Sequence, residues 1–518
     1  KGSVDTLIKR HEMLRVYITS LGNQRTIHEY DIDRVIFYKD LSQLDEINLK
    51  FEIKKIREEF SNNEIGATTW PLFKFLVTKY PNNKYGIHFV IDMLIADAWS
   101  IFQVIIPDLI DLYNSSENNL PELNISFKEY VSYKENLKNT DAYLEDKEYW
   151  LKKITTLPPA PKLPLYENQV DSNHKFKRFE GYLGCDEVNN LNKISKEMQI
   201  SKSSIVALVL CEVLRLWGEE EDFTLNFPVS DRLPISEDID YLVGDFTNTL
   251  LVPYTVPKDK TLREKAAFLQ REIWESLDHR LFSGVEVLRE LARINKSGRE
   301  PLMPIVLTSL IGHPGRHDSS LFGKEVYGVS QTPQVMLDVQ IRESAGKLYY
   351  KWDYLSNVIR EDVLKDMFKS FETLLLQLAV SREVWDKKEV NLLPREQILI
   401  RKKINATSKP LPDVSLSELI LKRLSENSSS TAIIEQDGSS FSWRKIVESS
   451  LRVKQIIKER AESSECYIGI ILSKSSLQYI SIYGCVLSGR GYVPIDPDLP
   501  NERIVNILKK ANIKTIIS

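Results

Sequence analysis

The sequence predicts an α/β protein, and three stretches lead to this class. Residues 84–94, KYGIHFVIDML, alternate as a half-buried strand does. Residues 201–220, SKSSIVALVLCEVLRLWGEE, are typical of a helix that begins at Ser201, a residue type preferred at helix starts. From residue 449 to the end, the order of helix, strand, short apolar helix, turn, helix and strand indicates an α/β unit.

The domain organisation follows from the chain length and from two proline-rich breaks. A chain of 518 residues exceeds one ordinary core, so about two to four domains are expected. The linker 391–412, where prolines and polar residues interrupt the periodic pattern, separates a large α/β region from a C-terminal fragment, 413–518. The proline-dense connector LPPAPKLPL divides the large region into an N-lobe, 1–165, and a C-lobe, 166–390.

Composition excludes several classes of function. Lys and Arg total 69 against 73 for Asp and Glu, a net charge of -4, which argues against nucleic acid as the main partner. No apolar run approaches the ~18 residues of a membrane helix, and the N-terminus lacks the plan of a signal peptide. The four cysteines form no C-x-x-C pair, so we expect a reduced, cytoplasmic setting. The GHPGRH stretch, with His313 and His317, predicts a solvated turn and no metal site.

Two carboxylates, Asp92 and Asp97, lie five residues apart, directly after an apolar run. Positions five apart face opposite sides of a strand, so this spacing alone does not bring the two acids together. Asp97 lies where a helix begins, with Ser100 three residues further on, and its carboxylate can cap the first turn. The residues alone leave a cap and a functional site as equal alternatives for Asp97.

Asp92, Asp97 and Ser100 fit the motif D-x-x-x-x-D-x-x-S, and here the sequence resembles the heterocyclization domains of nonribosomal peptide synthetases. Aligned on Asp97, the two histidines of the related condensation motif H-H-x-x-x-D-G fall on Asp92 and Met93. The histidine usually assigned to amide formation in condensation domains is therefore replaced in this chain.

Further motifs of the same family follow in the expected order along the region before the linker. They are RHEMLR (10–15), LPPAPKLPL (157–165), GDFTNTLLV (244–252), PIVLTSLIG (304–312), SQTPQVMLDVQ (330–340) and YYKWDYL (349–355). The motif expected before Arg10 is absent, so we expect that the chain begins inside a domain or has lost residues.

The C-terminal fragment, 413–518, resembles the opening of an adenylation domain, with FSWRKI and LSGRGYVPIDPDLP at motif positions. The phosphate loop of that family would come after Ser518, so we expect this fragment to activate no amino acid by itself.

The resemblance implies a fold of two chloramphenicol-acetyltransferase-like lobes arranged in a V, followed by an α/β adenylation fragment. It also implies two joined reactions on thioesters carried by phosphopantetheine arms. A donor is first joined to a carrier-bound cysteine, serine or threonine, and cyclodehydration then gives a thiazoline or oxazoline. Cysteine, as in bacillamide-type synthetases, is the favoured acceptor. A condensation domain that forms only the amide and a catalytically silent docking scaffold are the alternatives.

Asp338 and Thr308 are the predicted catalytic residues. Ring closure needs a group that accepts one proton and returns one in a site without bulk water. Asp338 lies between apolar residues in VMLDV, which predicts a raised pKa for its carboxyl, although an acid at the end of an apolar strand is often structural. Heterocyclization domains use this aspartate with the threonine at position 308, whose hydroxyl can orient the carboxyl.

The remaining motif residues have supporting roles in this interpretation. We expect Asp92 and Asp97 to be architectural and paired with arginine, either Arg232 or Arg10, because a buried carboxylate needs a partner. A direct acid–base role is the alternative for Asp92. Gln340 and Ser309 are secondary candidates for binding the carbonyl or the leaving water, and a solvent-facing strand position is the alternative. We expect Trp352 to be core.

The resemblance implies that this domain binds no cofactor of its own. ATP and Mg²⁺ belong only to a complete adenylation domain, and the substrates arrive on the phosphopantetheine of carrier proteins. The expected partners are an upstream donor carrier, a downstream acceptor carrier, the rest of the adenylation domain and, as a further candidate, a tailoring oxidase.

Overall fold

A computed structural model describes residues 1–62, 65–114, 120–166, 175–295, 301–312, 323–411 and 413–518 of the protein. The chain divides into a first unit, Lys1–Arg401, and a second unit, Lys402–Ser518. Both units mix helices with strands, which confirms the predicted α/β class. The turn predicted at His313 and His317 lies outside the described residues.

The N-terminal part of the first unit contains a three-stranded sheet of order β3-β4-β5 and a separate β1-β2 pair. Its strands are β1 (Val16–Ile18), β2 (Gln24–Thr26), β3 (Ile36–Asp40), β4 (Phe73–Tyr80) and β5 (Lys84–Ile91), and its helices are α1 (Gly2–Arg10), α2 (Glu46–Asn62), α3 (Ile106–Asn114), α4 (Phe127–Leu137) and α5 (Asp141–Lys153). A π-helical stretch, Ser100–Ile105, leads directly into α3. Strand β5 confirms the strand predicted from the alternating pattern.

The C-terminal part of the first unit is built on a six-stranded sheet of order β6-β11-β10-β9-β7-β8. Its strands are β6 (Phe176–Leu183), β7 (Phe223–Ser230), β8 (Thr247–Tyr254), β9 (Ile305–Leu310), β10 (Leu337–Ser344) and β11 (Lys347–Leu355), and its helices are α6 (Cys185–Met198), α7 (Lys202–Trp217), α8 (Leu262–Asp278), α9 (Gly284–Asn295) and α10 (Glu361–Val380). Helix α7 begins as predicted, because the Ser201 hydroxyl accepts a hydrogen bond from the Ser204 N–H at 3.1 Å.

The two faces of the six-stranded sheet differ in chemistry because side chains alternate along each strand. One face packs on the helices and is apolar. Leu307 of β9, Val339 of β10 and Trp352 of β11 are fully buried there. Trp352 meets the rings of Phe368 and Phe371 on α10 edge to face, which confirms that it belongs to the core. The alternate residues of the same strands point to the other face, and many of them are polar.

The connection between β7 and β8 packs into the hydrophobic core of the N-terminal part. Leu233, Leu242 and Phe246 from this connection are buried together with Leu7 of α1 and Phe73 of β4. The two predicted lobes therefore share a core, and the boundary at 165/166 stays a prediction.

The second unit contains a three-stranded parallel sheet and a short hairpin. Its elements are α12 (Leu416–Glu426), β12 (Thr431–Ile434), β13 (Ser440–Ser442), α13 (Trp443–Arg460), β14 (Tyr467–Ile471), α14 (Ser476–Leu487), β15 (Gly491–Ile495), α15 (Asn501–Lys510) and β16 (Ile516–Ile517). The predicted order omits β15 and has a turn at its GYVPI sequence. Pro494 is compatible with this strand because β15 lies at the sheet edge, where a missing N–H is tolerated.

The predicted linker at 391–412 contains a helix, α11 (Arg395–Asn405), which the sequence interpretation missed. The N–H of Ile398 donates to the carbonyl of Pro394 at 3.1 Å at the start of this helix. A proline is compatible with a helix start because the first turn needs no donor from it. The prolines of this stretch therefore do not mark continuous irregular chain.

Candidate active site

The predicted catalytic residues lie in adjacent rows across the polar face of the six-stranded sheet. Strand register places Arg178 of β6, Asp353 of β11 and Asp338 of β10 in one row. Gln340 of β10 and Thr308 of β9 are direct neighbours in the next row. The sheet thus brings together side chains that are far apart in the sequence.

Asp338 is held by two hydrogen bonds, one to each carboxyl oxygen. The Thr308 hydroxyl donates to Oδ1 at 3.0 Å, and the Gln340 amide donates to Oδ2 at 2.6 Å. The Asp338 residue is only 7% exposed. The structure therefore places Thr308 where it can fix the direction of the Asp338 carboxyl.

The pKa of Asp338 is raised to about 6, mainly by burial and to a smaller extent by the negative charge of Asp353. The hydrogen bonds from Gln340 and Thr308 and the positive charge of Arg178 oppose this shift. A carboxyl that titrates near neutral pH can both give and take a proton, as general acid–base catalysis requires.

The environment of Asp338 differs from the one predicted. Leu337 and Val339 lie beside it in sequence, but both side chains point to the helix-covered face. On the other face, the carboxyl contacts Thr308 and Gln340, and burial is the main cause of its raised pKa.

Asp353 and Arg178 complete the row, and sequence reasoning missed Arg178. The Arg178 guanidinium donates two hydrogen bonds to the Asp353 carboxylate, from Nε to Oδ1 at 2.7 Å and from Nη2 to Oδ2 at 2.6 Å. Asp353 also accepts from the Ser330 N–H at 2.8 Å. The strand period of two was the available signal, because it puts Arg178 on the face opposite to its neighbour Phe179, which packs against the core.

Ser309 does not lie with the other candidates. Its hydroxyl is 2.9 Å from that of Ser203 on α7, on the helix-covered face of the sheet. Thr308 and Ser309 are adjacent in β9, and adjacent strand residues point to opposite faces. The proposed role for Ser309 beside the reacting carbonyl is therefore wrong.

Asp97 caps the start of the helix and also pairs with Arg232, one of the two arginines predicted as its partner. Its Oδ1 accepts from the Ser100 N–H at 2.7 Å, as a helix cap does, and from Arg232 Nη2 at 3.3 Å. The same Arg232 nitrogen donates to the Ser100 hydroxyl at 2.9 Å, and that hydroxyl donates to the Gly244 carbonyl at 2.9 Å. We call Asp97, Ser100, Arg232 and Gly244 the inter-lobe cluster, since it joins the π-helical stretch to the β7–β8 connection.

Asp92 and Arg10 do not take part in the inter-lobe cluster. Asp92 Oδ1 accepts from the Leu94 N–H at 2.9 Å in a tight turn after β5, and among the described residues no arginine pairs with it. Arg10 lies 3.2 Å from the Asp108 carboxylate. The prediction of an arginine partner is thus wrong for Asp92, because a local backbone donor serves its carboxylate.

The polar face of the six-stranded sheet meets the N-terminal part of the unit at several points. The Arg342 guanidinium of β10 lies over the Phe102 ring at 5.1 Å. The segment that precedes β10 also contacts the N-terminal part: Gln331 donates to the Ser61 carbonyl at 2.5 Å, and the Tyr327 hydroxyl is 3.0 Å from the Ser61 hydroxyl. Asp338 and Thr308 therefore belong to the sheet face that adjoins the N-terminal part.

Two features are absent from the part of the chain that the structure describes. No helix in the described ranges has the length and apolar character needed to cross a membrane. Among the same residues, no three His, Cys, Asp or Glu side chains come together as metal ligands.

We expect the free energy of unfolding to fall as the pH rises from about 4.5 to about 6, relative to Asp338→Asn. Asp338 keeps its proton up to about pH 6 when folded but loses it near 3.8 when unfolded. The folded state binds more protons in this interval, so this contribution is present at low pH and is lost as the pH rises through 6. The difference between wild type and variant should change by about 2 kcal/mol.

Urea unfolding of both proteins at a series of pH values measures this change. Glu180→Gln is the control, because Glu180 is exposed on the same face of the sheet. If the difference in the free energy of unfolding between wild type and Asp338→Asn stays constant with pH, the raised pKa of Asp338 is contradicted.

The chain belongs to the condensation domain family, which matches residues 1–398. It is thus a condensation-type enzyme domain of a nonribosomal peptide synthetase. The curated relatives are much longer than this chain. It is 28% identical over 524 residues to bacitracin synthase 1 of Bacillus licheniformis, covering 100% of this chain and 10% of that protein. It is 28% identical over 519 residues to phenyloxazoline synthase MbtB of Mycobacterium sp. (strain MCS), covering 99% and 43%.

Two solved structures confirm the fold class. The AMPPNP-bound nonribosomal peptide synthetase FmoA3 matches with a TM-score of 0.84 and 26% identity, over 99% of this chain and 54% of that one. The cyclization-docking bidomain of EpoB from Sorangium cellulosum matches with a TM-score of 0.69 and 27% identity, over 74% of this chain and 77% of that one. The chain has the α/β condensation fold of the chloramphenicol-acetyltransferase type.

Proposed function

We propose that the first unit is a heterocyclization domain. It joins a donor aminoacyl or peptidyl thioester to a carrier-bound cysteine, or serine or threonine, and then closes a thiazoline or oxazoline ring. The observation that carries this proposal is the buried Asp338 carboxyl, with its raised pKa and its hydrogen bond from Thr308. Similarity to a phenyloxazoline synthase and to a cyclization domain supports it.

Ring closure makes one bond and removes one water. The acceptor thiol or hydroxyl attacks the amide carbon and loses its proton, and the former carbonyl oxygen gains a proton and becomes a hydroxyl group. As the carbon–nitrogen double bond forms, this oxygen leaves as water and the nitrogen loses its proton. Protonated Asp338 gives its proton to the departing oxygen, and the resulting carboxylate takes the proton from nitrogen. Thr308 keeps the carboxyl directed at the reacting atoms.

Amide formation in this proposal relies on holding the two reactants together. Met93 occupies the position of the histidine assigned to that step in condensation domains, so positioning of the amine against the thioester supplies much of the rate. Upstream donor and downstream acceptor carrier proteins would present their phosphopantetheine arms in the cytoplasm, and the domain would need no cofactor of its own.

The second unit would begin the adenylation domain that loads the acceptor, with ATP and Mg²⁺ bound only when that domain is complete. The FmoA3 match supports this assignment because it extends over 99% of the chain. Cysteine is the favoured acceptor, and a tailoring oxidase that acts on the ring would be a further partner.

A reconstituted assay tests the proposed function. Donor and acceptor carrier proteins are loaded, the chain is added, and the acceptor carrier is analysed by intact-mass spectrometry. We expect a product lighter than the simple amide by one water. An amide of full mass would instead indicate a condensation domain that forms only the amide, and unreacted carriers would indicate a docking scaffold.

Thr308→Ala should slow ring closure by about 10-fold to 100-fold, because a hydrogen bond to a charged group contributes about 1.5–3 kcal/mol. The rate of water loss from the amide measures the effect. Ser309→Ala is the matched control, since Ser309 is the next residue in β9 but faces the helices. Equal rates for the two variants would argue against the role of Thr308.

A further inference from the structure

Asp353 is a second buried carboxylate beside Asp338, and the mechanism above does not use it. The two residues are direct partners in the antiparallel pair of β10 and β11. Asp353 is fully buried and accepts hydrogen bonds from Arg178, Ser330 and Gln340. A buried carboxylate that accepts two hydrogen bonds from one arginine keeps a fixed position.

The Gln340 amide connects the two carboxylates. Its nitrogen donates to Asp338 Oδ2 at 2.6 Å and to Asp353 Oδ2 at 3.1 Å. Because Arg178 and the Ser330 N–H fix the position of Asp353, the shared amide also fixes the oxygen of Asp338 that Thr308 does not reach. The Asp338 carboxyl is thus anchored at both oxygens.

We propose that Asp353, clamped by Arg178, is a positioning residue that sets the protonation and the direction of Asp338, directly and through Gln340. The effect of Asp353 on the reaction rests on the proposed function, because it requires that Asp338 is the catalytic residue. Asp353 and Arg178 do not touch the substrate in this scheme, and they act on the reaction only through Asp338.

The charges that face Asp338 oppose each other. Asp353 favours the protonated form of Asp338, and Arg178 favours the ionised form. Lys351 of β11 and Arg342 of β10 both pair with Glu325 further along the sheet, and Glu325 also lies 3.9 Å from Arg178. Removing Asp353 and removing Arg178 should therefore shift the titration of Asp338 in opposite directions.

The test measures the titration of Asp338 without relying on catalysis. For each protein, we compare the free energy of unfolding with that of its Asp338→Asn derivative over a range of pH. This free-energy difference falls as the pH rises and levels off near the pKa of Asp338, which is about 6 in the wild type. In Asp353→Asn this point should fall by about one pH unit, and in Arg178→Gln it should rise by about one pH unit. Arg178→Lys, which keeps the charge, should retain the wild-type value.

The surface pair Arg360 and Asp362 is the matched control. It has the same fork geometry, with Nη2 to Oδ2 at 2.6 Å, but it is solvent-exposed. Arg360→Gln and Asp362→Asn should leave the titration of Asp338 unchanged. If Asp353→Asn does not fold, Arg178→Gln alone still tests the proposal, since the sign of its shift is fixed.

Shifts in the same direction for the two variants, or no shift in either, would overturn the proposal. In each variant, the pH dependence of ring closure should shift in the same direction as the pKa of Asp338 measured by unfolding. If the wild type closes no ring at any pH, the proposed function fails, while the unfolding series still decides whether Asp353 and Arg178 control Asp338.

Discussion

Asp338→Asn should abolish ring closure and leave amide formation in place. Asparagine keeps the size of the side chain and can still accept from Thr308, but it cannot exchange a proton in the working pH range. Loss of a general acid–base group lowers a rate by about 100-fold to 10,000-fold. The measurement is the intact mass of the acceptor carrier over time, where the variant should accumulate the uncyclized amide.

Two observations separate this result from simple unfolding. Amide formation by the variant shows that the domain is folded and binds both carriers. Asp362→Asn, a change of the same type on an exposed residue, should keep the wild-type rate of water loss. Normal ring yield from Asp338→Asn would show that another group performs the proton transfers.

Arg232→Met should be the most destabilising change in the inter-lobe cluster. Asp97 is only 3% exposed, and Arg232 is the cation that pairs with it. Removing one partner leaves a buried charge uncompensated, which costs about 3–5 kcal/mol. Methionine keeps contact with the Phe246 ring, over which the guanidinium lies at 3.8 Å. Urea unfolding at neutral pH measures the loss.

Asp92→Ala is the control for this experiment. The two acids are five residues apart, but Asp92 is only half-buried and serves a local turn, so its loss should cost about 1 kcal/mol or less. The double variant Asp97→Asn with Arg232→Met removes both charges and should regain part of the stability. If Arg232→Met and Asp92→Ala cost the same, the cluster contributes no more than an ordinary surface turn.

Sequence reasoning identified the Asp338 and Thr308 pair because motif resemblance carries spatial information that spacing lacks. The two residues are 30 positions apart on strands that pair in parallel, and nothing in the sequence between them indicates this register. The failure on Ser309 has a simple cause. A motif written as consecutive letters does not show that neighbours on a strand face opposite sides. Alternation within VLTS separates the two candidates once the strand is recognised.

Arg178 was missed for a different reason. It lies 175 positions from Asp353, and β6 meets β11 only because of the strand order in the sheet. Alternation within β6 shows which side the arginine faces, but not which strand lies beside it. Arg178 and Asp353 are far apart in the sequence but bind each other. Asp92 and Asp97, by contrast, belong to one motif and have unrelated partners.

The β7–β8 connection has a consequence for dividing this chain in the laboratory. It contributes Leu233, Ile239, Leu242, Val243 and Phe246 to a core whose other buried members come from the first lobe. A fragment that ends at the predicted lobe boundary would lose these side chains and expose the apolar residues they cover. Neither piece should then be an independent folding unit. Recombining lobes from different synthetases would require the transfer of this connection together with the first lobe.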